Sequence, residues 1–149
     1  MFNAFEIGDC TIADHHGWIY VIHAIDWRVL YVGQTYSSGG ALARLSQHLS
    51  HGESATFRQR LCAVRRYETI EIGAVKFSAW MLSGIRKFSQ QEYREAVEWN
   101  IQNAFLNHLA ANSKAISVIS RVRANGYVGD PDVSAEVVKI KQALPSCIS

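Results

Sequence analysis

No apolar run in the chain approaches the roughly 18–20 residues that a membrane helix needs, so no such helix is expected. The first residues, MFNAFEIGDC, lack a basic region followed by an apolar one, and no secretory leader is expected. Cysteines are few: Cys10, Cys62 and Cys147, an odd number at wide spacing. That pattern argues against a disulfide framework and for reduced thiols in a cytoplasmic protein. His15, His16, Cys10 and Cys62 form no C-x-x-C or H-x-x-x-H pair, so no zinc site is expected. Internal repeats and low-complexity stretches are also missing. What is present, 149 residues with 48% hydrophobic and 19% charged content, suits one globular domain over 1–149.

The formal net charge of +2 conceals an asymmetry. Residues 28–91 hold nine Lys/Arg against three Asp/Glu, while the remainder holds six against ten. A basic middle on a nearly neutral chain points to a face that meets an anion, with nucleic acid the first candidate.

Alternation over residues 18–24 sets Trp18, Tyr20 and Ile22 against Ile19, Val21 and His23, the pattern of a strand. Arg28–Gly33 reads as its antiparallel partner. ALARLSQHL then places Leu42, Leu45 and Leu49 at helical spacing, with Gly52 as a stop. A second helix carries Phe57, Leu61 and Val64 on one face, with Arg58, Arg65 and Arg66 beside that stripe. TIEIGAVKFSAWML reads as a third strand. Ser89-Gln-Gln-Glu92 has the form of a capping box, and Tyr93, Val97, Ile101 and Phe105 continue as an apolar stripe to about Asn112. Residues 115–124 are periodic but ambiguous. Asp130-Pro131-Asp132 opens a last helix. The expected architecture is α/β, with a small three-stranded, antiparallel-containing sheet flanked by helices.

Tyr20 and Tyr31 fall on neighbouring strands, and Arg44 and His48 lie four residues apart on the next helix. Two phenols, a guanidinium and an imidazole therefore converge on one end of a small sheet. The long helix adds Glu92, Glu95 and Glu98. Phosphodiester hydrolysis needs a base for water and positive charge for the phosphate, and a metal eases departure of the leaving oxygen. A lone carboxylate suits one hard cation such as Mg²⁺. At about 100° per residue, Glu98 lies at the border of the buried stripe and Glu95 roughly 60° further round, which favours Glu98 with Glu95 as its rival.

The run WIYVI…LYVGQT…ALARLSQH resembles the GIY-YIG nuclease superfamily over about residues 17–112, leaving 113–149 as a helical extension. The resemblance implies an endonuclease acting on DNA with one Mg²⁺ or Mn²⁺ and no small-molecule cofactor. Its site would comprise Tyr20, Tyr31, Arg44, His48 and Glu98, with Glu98 on the metal and Asn112 or Asn107 in support. One tyrosine would activate water, helped by His48 or the other tyrosine, while Arg44 holds the phosphate. Apart from the resemblance, the basic helix between the Arg/His helix and the third strand offers Arg58, Arg65 and Arg66 as DNA contacts, the alternative being an ordinary solvated face. Three departures stand out: Trp18 replaces the first glycine of the motif, with Gly17 one place early; Gln34 stands where some members have lysine; and Arg44 follows Tyr31 by thirteen positions, a little more than usual. A binding module on the same fold, holding nucleic acid without cutting it, is the alternative. Neither the sequence recognised nor the oligomeric state is legible.

Overall fold

A computed structural model describes residues 9–149; residues 1–8, where no leader was expected, lie outside the described residues. β1 (Trp18–Ala24) and β2 (Val29–Thr35) form the expected antiparallel hairpin, with Tyr20 opposite Gly33 and Ile22 opposite Tyr31. Arg28 takes a left-handed backbone (φ 52°) to close the turn. β3 (Val75–Met81) pairs antiparallel with the other edge of β1. β1 is thus flanked by a strand on each side over its whole length, and all seven of its residues are buried.

The sheet has four strands in the order β3-β1-β2-β4, which corrects the three-stranded expectation. β4 is only Ser117–Val118, paired in parallel with Val29–Leu30. Two residues carry no readable alternation, so the stretch looked ambiguous in sequence. Beyond β4 the chain stays extended and is fastened by single bonds. The Ile119 amide donates to Leu30 O (2.9 Å), and Ser120 Oγ accepts from the Val32 amide (3.1 Å). The Val122 amide then donates to Gln102 Oε1 (3.2 Å).

Helices cover both faces of the sheet. On one side lie α1 (Gly40–Leu49) and α2 (Thr56–Arg65), where Phe57 and Leu61 pack with Tyr20, Ile22 and Val29. On the other, Val97, Ile101 and Phe105 of α3 (Gln91–Ala111) meet Ile19, Val21, Leu30 and Val32. Full burial of side chains of this size contributes about 1.5–3 kcal/mol each. α4 (Pro131–Lys141) adds Val133, Val137 and Ile140 to the same cluster. Asp130 caps it as expected, accepting from the amides of Asp132 and Val133. The capping box at Ser89 does not form. Ser89 Oγ instead donates to Arg86 O within a 3₁₀ turn, and the N-cap of α3 is Gln90, without a side-chain bond. Among the described residues no helix is long and apolar enough to cross a membrane.

Arg58 has a structural task. Its Nε and two Nη groups donate to the carbonyls of Ser50 (2.9 Å), Ile70 (2.6 Å) and Leu49 (2.8 Å). One guanidinium therefore satisfies the carboxyl end of α1 and fastens the loop before β3. Hydrogen bonds from a charged donor are worth about 1.5–3 kcal/mol each at most, and three on one group overlap. Arg58→Ala should lower the melting temperature by roughly 5–10 °C, whereas Arg66→Ala, on an exposed side chain with no hydrogen bond among the described residues, should leave it unchanged. Thermal denaturation followed by circular dichroism checks both; equal melting temperatures for wild type and Arg58→Ala would remove the strap.

Candidate active site

The hairpin sets the two phenols on one face of the sheet, toward α1 and α2. Tyr20 lies across Gly33 of the neighbouring strand, where a Cβ would collide with its ring. The glycine of the Tyr-Val-Gly triplet is therefore a steric requirement of Tyr20. Tyr20 is 1% exposed and His48 fully buried. Tyr20 Oη and His48 Nε2 are 2.6 Å apart. On the other side of the imidazole, Nδ1 accepts from the Phe57 amide at 3.0 Å. Phe57 is the second residue of α2, and its N–H is one of the donors that a helix start leaves unpaired. No side chain caps that helix at Ala55, so His48 does part of the work from outside.

This bond assigns the tautomer of His48. A backbone N–H only donates, so Nδ1 must present its lone pair. Burial, with the Arg44 charge in support, pulls the imidazole pKa down to about 3. The ring is therefore neutral, its proton sits on Nε2, and Nε2–H donates to Tyr20 Oη. The Tyr20 hydroxyl proton is left to point elsewhere. This geometry leaves His48 without an acceptor for the Tyr20 proton, the role considered for it from sequence; it acts as a donor that steadies charge on the phenolic oxygen.

Tyr31 sits edge-on to His48 and Phe57, with ring centroids 5.1 and 5.7 Å away. It is only half-buried, and its hydroxyl makes no hydrogen bond among the described residues. Burial holds both phenols above the ordinary tyrosine range; Glu98 pushes the same way, and Arg44 opposes it. Arg44 is braced by Gln47 Oε1 (2.8 Å), Ser54 O (3.1 Å) and Thr56 Oγ1 (3.1 Å). Loss of water around the half-buried Glu98 drives its pKa up to about 8, with Glu95 adding to the effect.

The family model of the GIY-YIG catalytic domain matches residues 16–111. The chain belongs to the GIY-YIG family. No curated protein and no solved structure matches it. The GIY-YIG match covers the hairpin, α1, α2, β3 and α3, and indicates a nuclease-type fold.

Within that GIY-YIG frame the structure brings Tyr20, Tyr31, Arg44, His48 and Glu98 together. Glu95 is otherwise engaged, accepting from Gln91 Nε2 at 2.6 Å. Asn112 does not join the cluster. It closes α3, its Nδ2 donating to His108 O (2.8 Å), fourteen residues past Glu98 and so roughly 21 Å along the helix. Asn107 is exposed, nine residues past Glu98. Of the arginines chosen beside α2, Arg58 is the strap described above. Arg65 donates to Trp27 O (3.0 Å) at the turn end of the hairpin.

Two further residues near the site belong to no sequence motif. Arg60 of α2 lies close enough to Tyr31 to lower its pKa. Its offset of three from Phe57 was the available signal. Arg94 is buried and donates to Gln34 Oε1 (2.6 Å), setting a cation beside the residue that departs from the motif.

Among the described residues no three His, Cys, Asp or Glu side chains gather as a metal cage. Glu98, a desolvated acid near enough to both phenols to raise their pKa, is the carboxylate a single hard cation would meet there. Its raised pKa has a consequence without any cation. Between about pH 4.5 and 8 folded Glu98 keeps a proton that the unfolded chain has released, so stability falls as pH rises through that window. In EDTA, Glu98→Gln should match wild type in melting temperature near pH 4.5 and exceed it by on the order of 5 °C above pH 8. Thermal scans across pH check this; a difference that does not vary with pH would mean a hydrated, ordinary carboxylate.

Proposed function

We propose that the protein is a divalent-metal-dependent endonuclease that hydrolyses DNA phosphodiester bonds. The observation that carries this reading is the buried Phe57–His48–Tyr20 bond chain, with Tyr31, Arg44 and Glu98 grouped around it. A tyrosine packed for stability alone needs no neutral imidazole aimed at its oxygen.

The two phenols take different parts. Tyr31 is the less buried phenol, free of protein hydrogen bonds among the described residues, and is the one we assign to take the proton of a water attacking the phosphate. Both phenols hold their protons in the free protein, so Tyr31 must first release its proton to solvent, which nearby positive charge favours against its burial. Arg44 supplies part of that charge, and the phenolate then takes the proton of the attacking water. Tyr20, whose oxygen already accepts from His48, retains a proton to donate to the water or to a phosphate oxygen. Arg44 holds the scissile phosphate and offsets the charge that develops on it. Glu98 would hold one Mg²⁺ or Mn²⁺, which when bound polarises the phosphate and eases departure of the leaving oxygen.

Incubation with plasmid and branched DNA, with and without Mg²⁺, tests the reading. Cleavage should require the metal. Tyr20→Phe and Tyr31→Phe should fold normally and cut at least about 10²-fold more slowly. Glu98→Gln should lose cleavage while still binding DNA. A wild type that binds DNA without ever cutting it would establish the binding module instead.

A further inference from the structure

Arginines outside the central set differ in what holds them. Arg58 is tied on three nitrogens to backbone, and Arg65 reaches the hairpin turn. Arg60 leaves α2 on the opposite flank. Relative to Phe57 it lies about 60° to one side, while Arg58 and Arg65 lie about 80–100° to the other. Since Phe57 touches Tyr31, the Arg60 flank faces the edge of β2 that carries this phenol. There Arg60 Nε donates to Ile119 O at 2.8 Å, and the Ile119 amide donates to Leu30 O, one residue before Tyr31. Both Nη groups of Arg60 make no hydrogen bond among the described residues, leaving the outer fork to meet a ligand.

The segment that positions Arg60 continues past the candidate site. After Ser120 on β2, the Val122 amide donates to Gln102, four residues beyond Glu98 on α3. Asn125 Nδ2 donates to Glu92 O, six residues before Glu98. The strand-like stretch therefore passes alongside Glu98, anchored through Ser120 and Val122. The alternate residues, Arg121 and Arg123, are exposed and without hydrogen bonds among the described residues. Neither forms an ion pair with a carboxylate among the described residues.

We propose that Arg60, Arg121 and Arg123 form a phosphate track along the β2 edge: Arg60 takes the phosphate next to the one on Arg44, and Arg121 and Arg123 carry the contact along the DNA backbone. This rests on the DNA reading above and moves the contacts from the turn end of α2 to the side that faces Glu98. It also explains why an arginine, with a planar fork, stands at 60: one edge of the group grips Ile119 while the other stays available.

Binding to a fluorescein-labelled duplex in EDTA, titrated with KCl and read by anisotropy, tests the track. Each lost phosphate contact lowers the slope of log K against log salt by about 0.9. Arg60→Gln keeps an amide donor for Ile119 O and should lower the slope by about one, whereas Arg60→Lys should keep it. The double variant Arg121→Ala, Arg123→Ala should lower it by about two, and Arg65→Ala with Arg66→Ala should leave it unchanged. If Arg60 were only a tether for residue 119, Arg60→Gln and Arg60→Lys would lower the melting temperature and leave the slope alone; that result overturns the track. So does a slope that falls in the Arg65/Arg66 pair instead. A wild type that fails to bind the duplex at all overturns the DNA reading and the track together, whereas one that cuts DNA with every slope intact overturns the track only.

Discussion

The bond from the Phe57 amide to His48 Nδ1 is the constraint on which the site depends. It links the first turn of α2 to the last turn of α1 and, through Nε2, both to the hairpin. A helix start must dispose of its amide protons in some way. Here one of them is spent on an imidazole, which fixes the ring's tautomer, orientation and charge together. Had a serine or aspartate capped α2 locally, the imidazole could have presented either nitrogen to Tyr20. Fold and chemistry meet in that amide.

Burial then sets the electrostatic pattern. Losing water drives the phenols and Glu98 toward their protonated forms and His48 toward its neutral one. Tyr20, Tyr31, His48 and Glu98 are thereby all biased toward their uncharged forms in the free protein, while Arg44 stands beside them as a cation. Positive charge brought to such a place acts through little water and is correspondingly effective. On the function proposed above, a bound cation would supply the charge that burial leaves wanting.

Much of this was legible because it repeats locally. Alternation over residues 18–24 gave β1, and the spacing of Phe57 and Leu61 gave the inner face of α2. The phase of the long helix brought Glu98 rather than Glu95 to the cluster. What escaped depends on partners distant in sequence. β4 exists only because β2 offers an open edge, and two residues leave no periodic trace. Ser89 met the pattern of a capping residue, yet the 3₁₀ turn before it claimed its hydroxyl. Arg58 and Arg60 are alike in sequence and differ in surroundings: Arg58 gives three nitrogens to backbone carbonyls, whereas Arg60 gives one to Ile119 O and lies near the Tyr31 phenol. Asn112 was chosen by its place in a motif, whereas the length of α3 decides where it lies.

The central claim, that a backbone amide holds His48 neutral and makes it a donor to Tyr20, is tested most directly by ¹H–¹⁵N correlation NMR of the histidine rings across pH. The account predicts one ring protonated at Nε2 alone, with Nδ1 unprotonated, unchanged down to about pH 4. It also predicts that this ring's Nε2–H signal moves in Tyr20→Phe. A His48 ring that carries its proton on Nδ1, or that titrates near 6.5 as free histidine does, would contradict it.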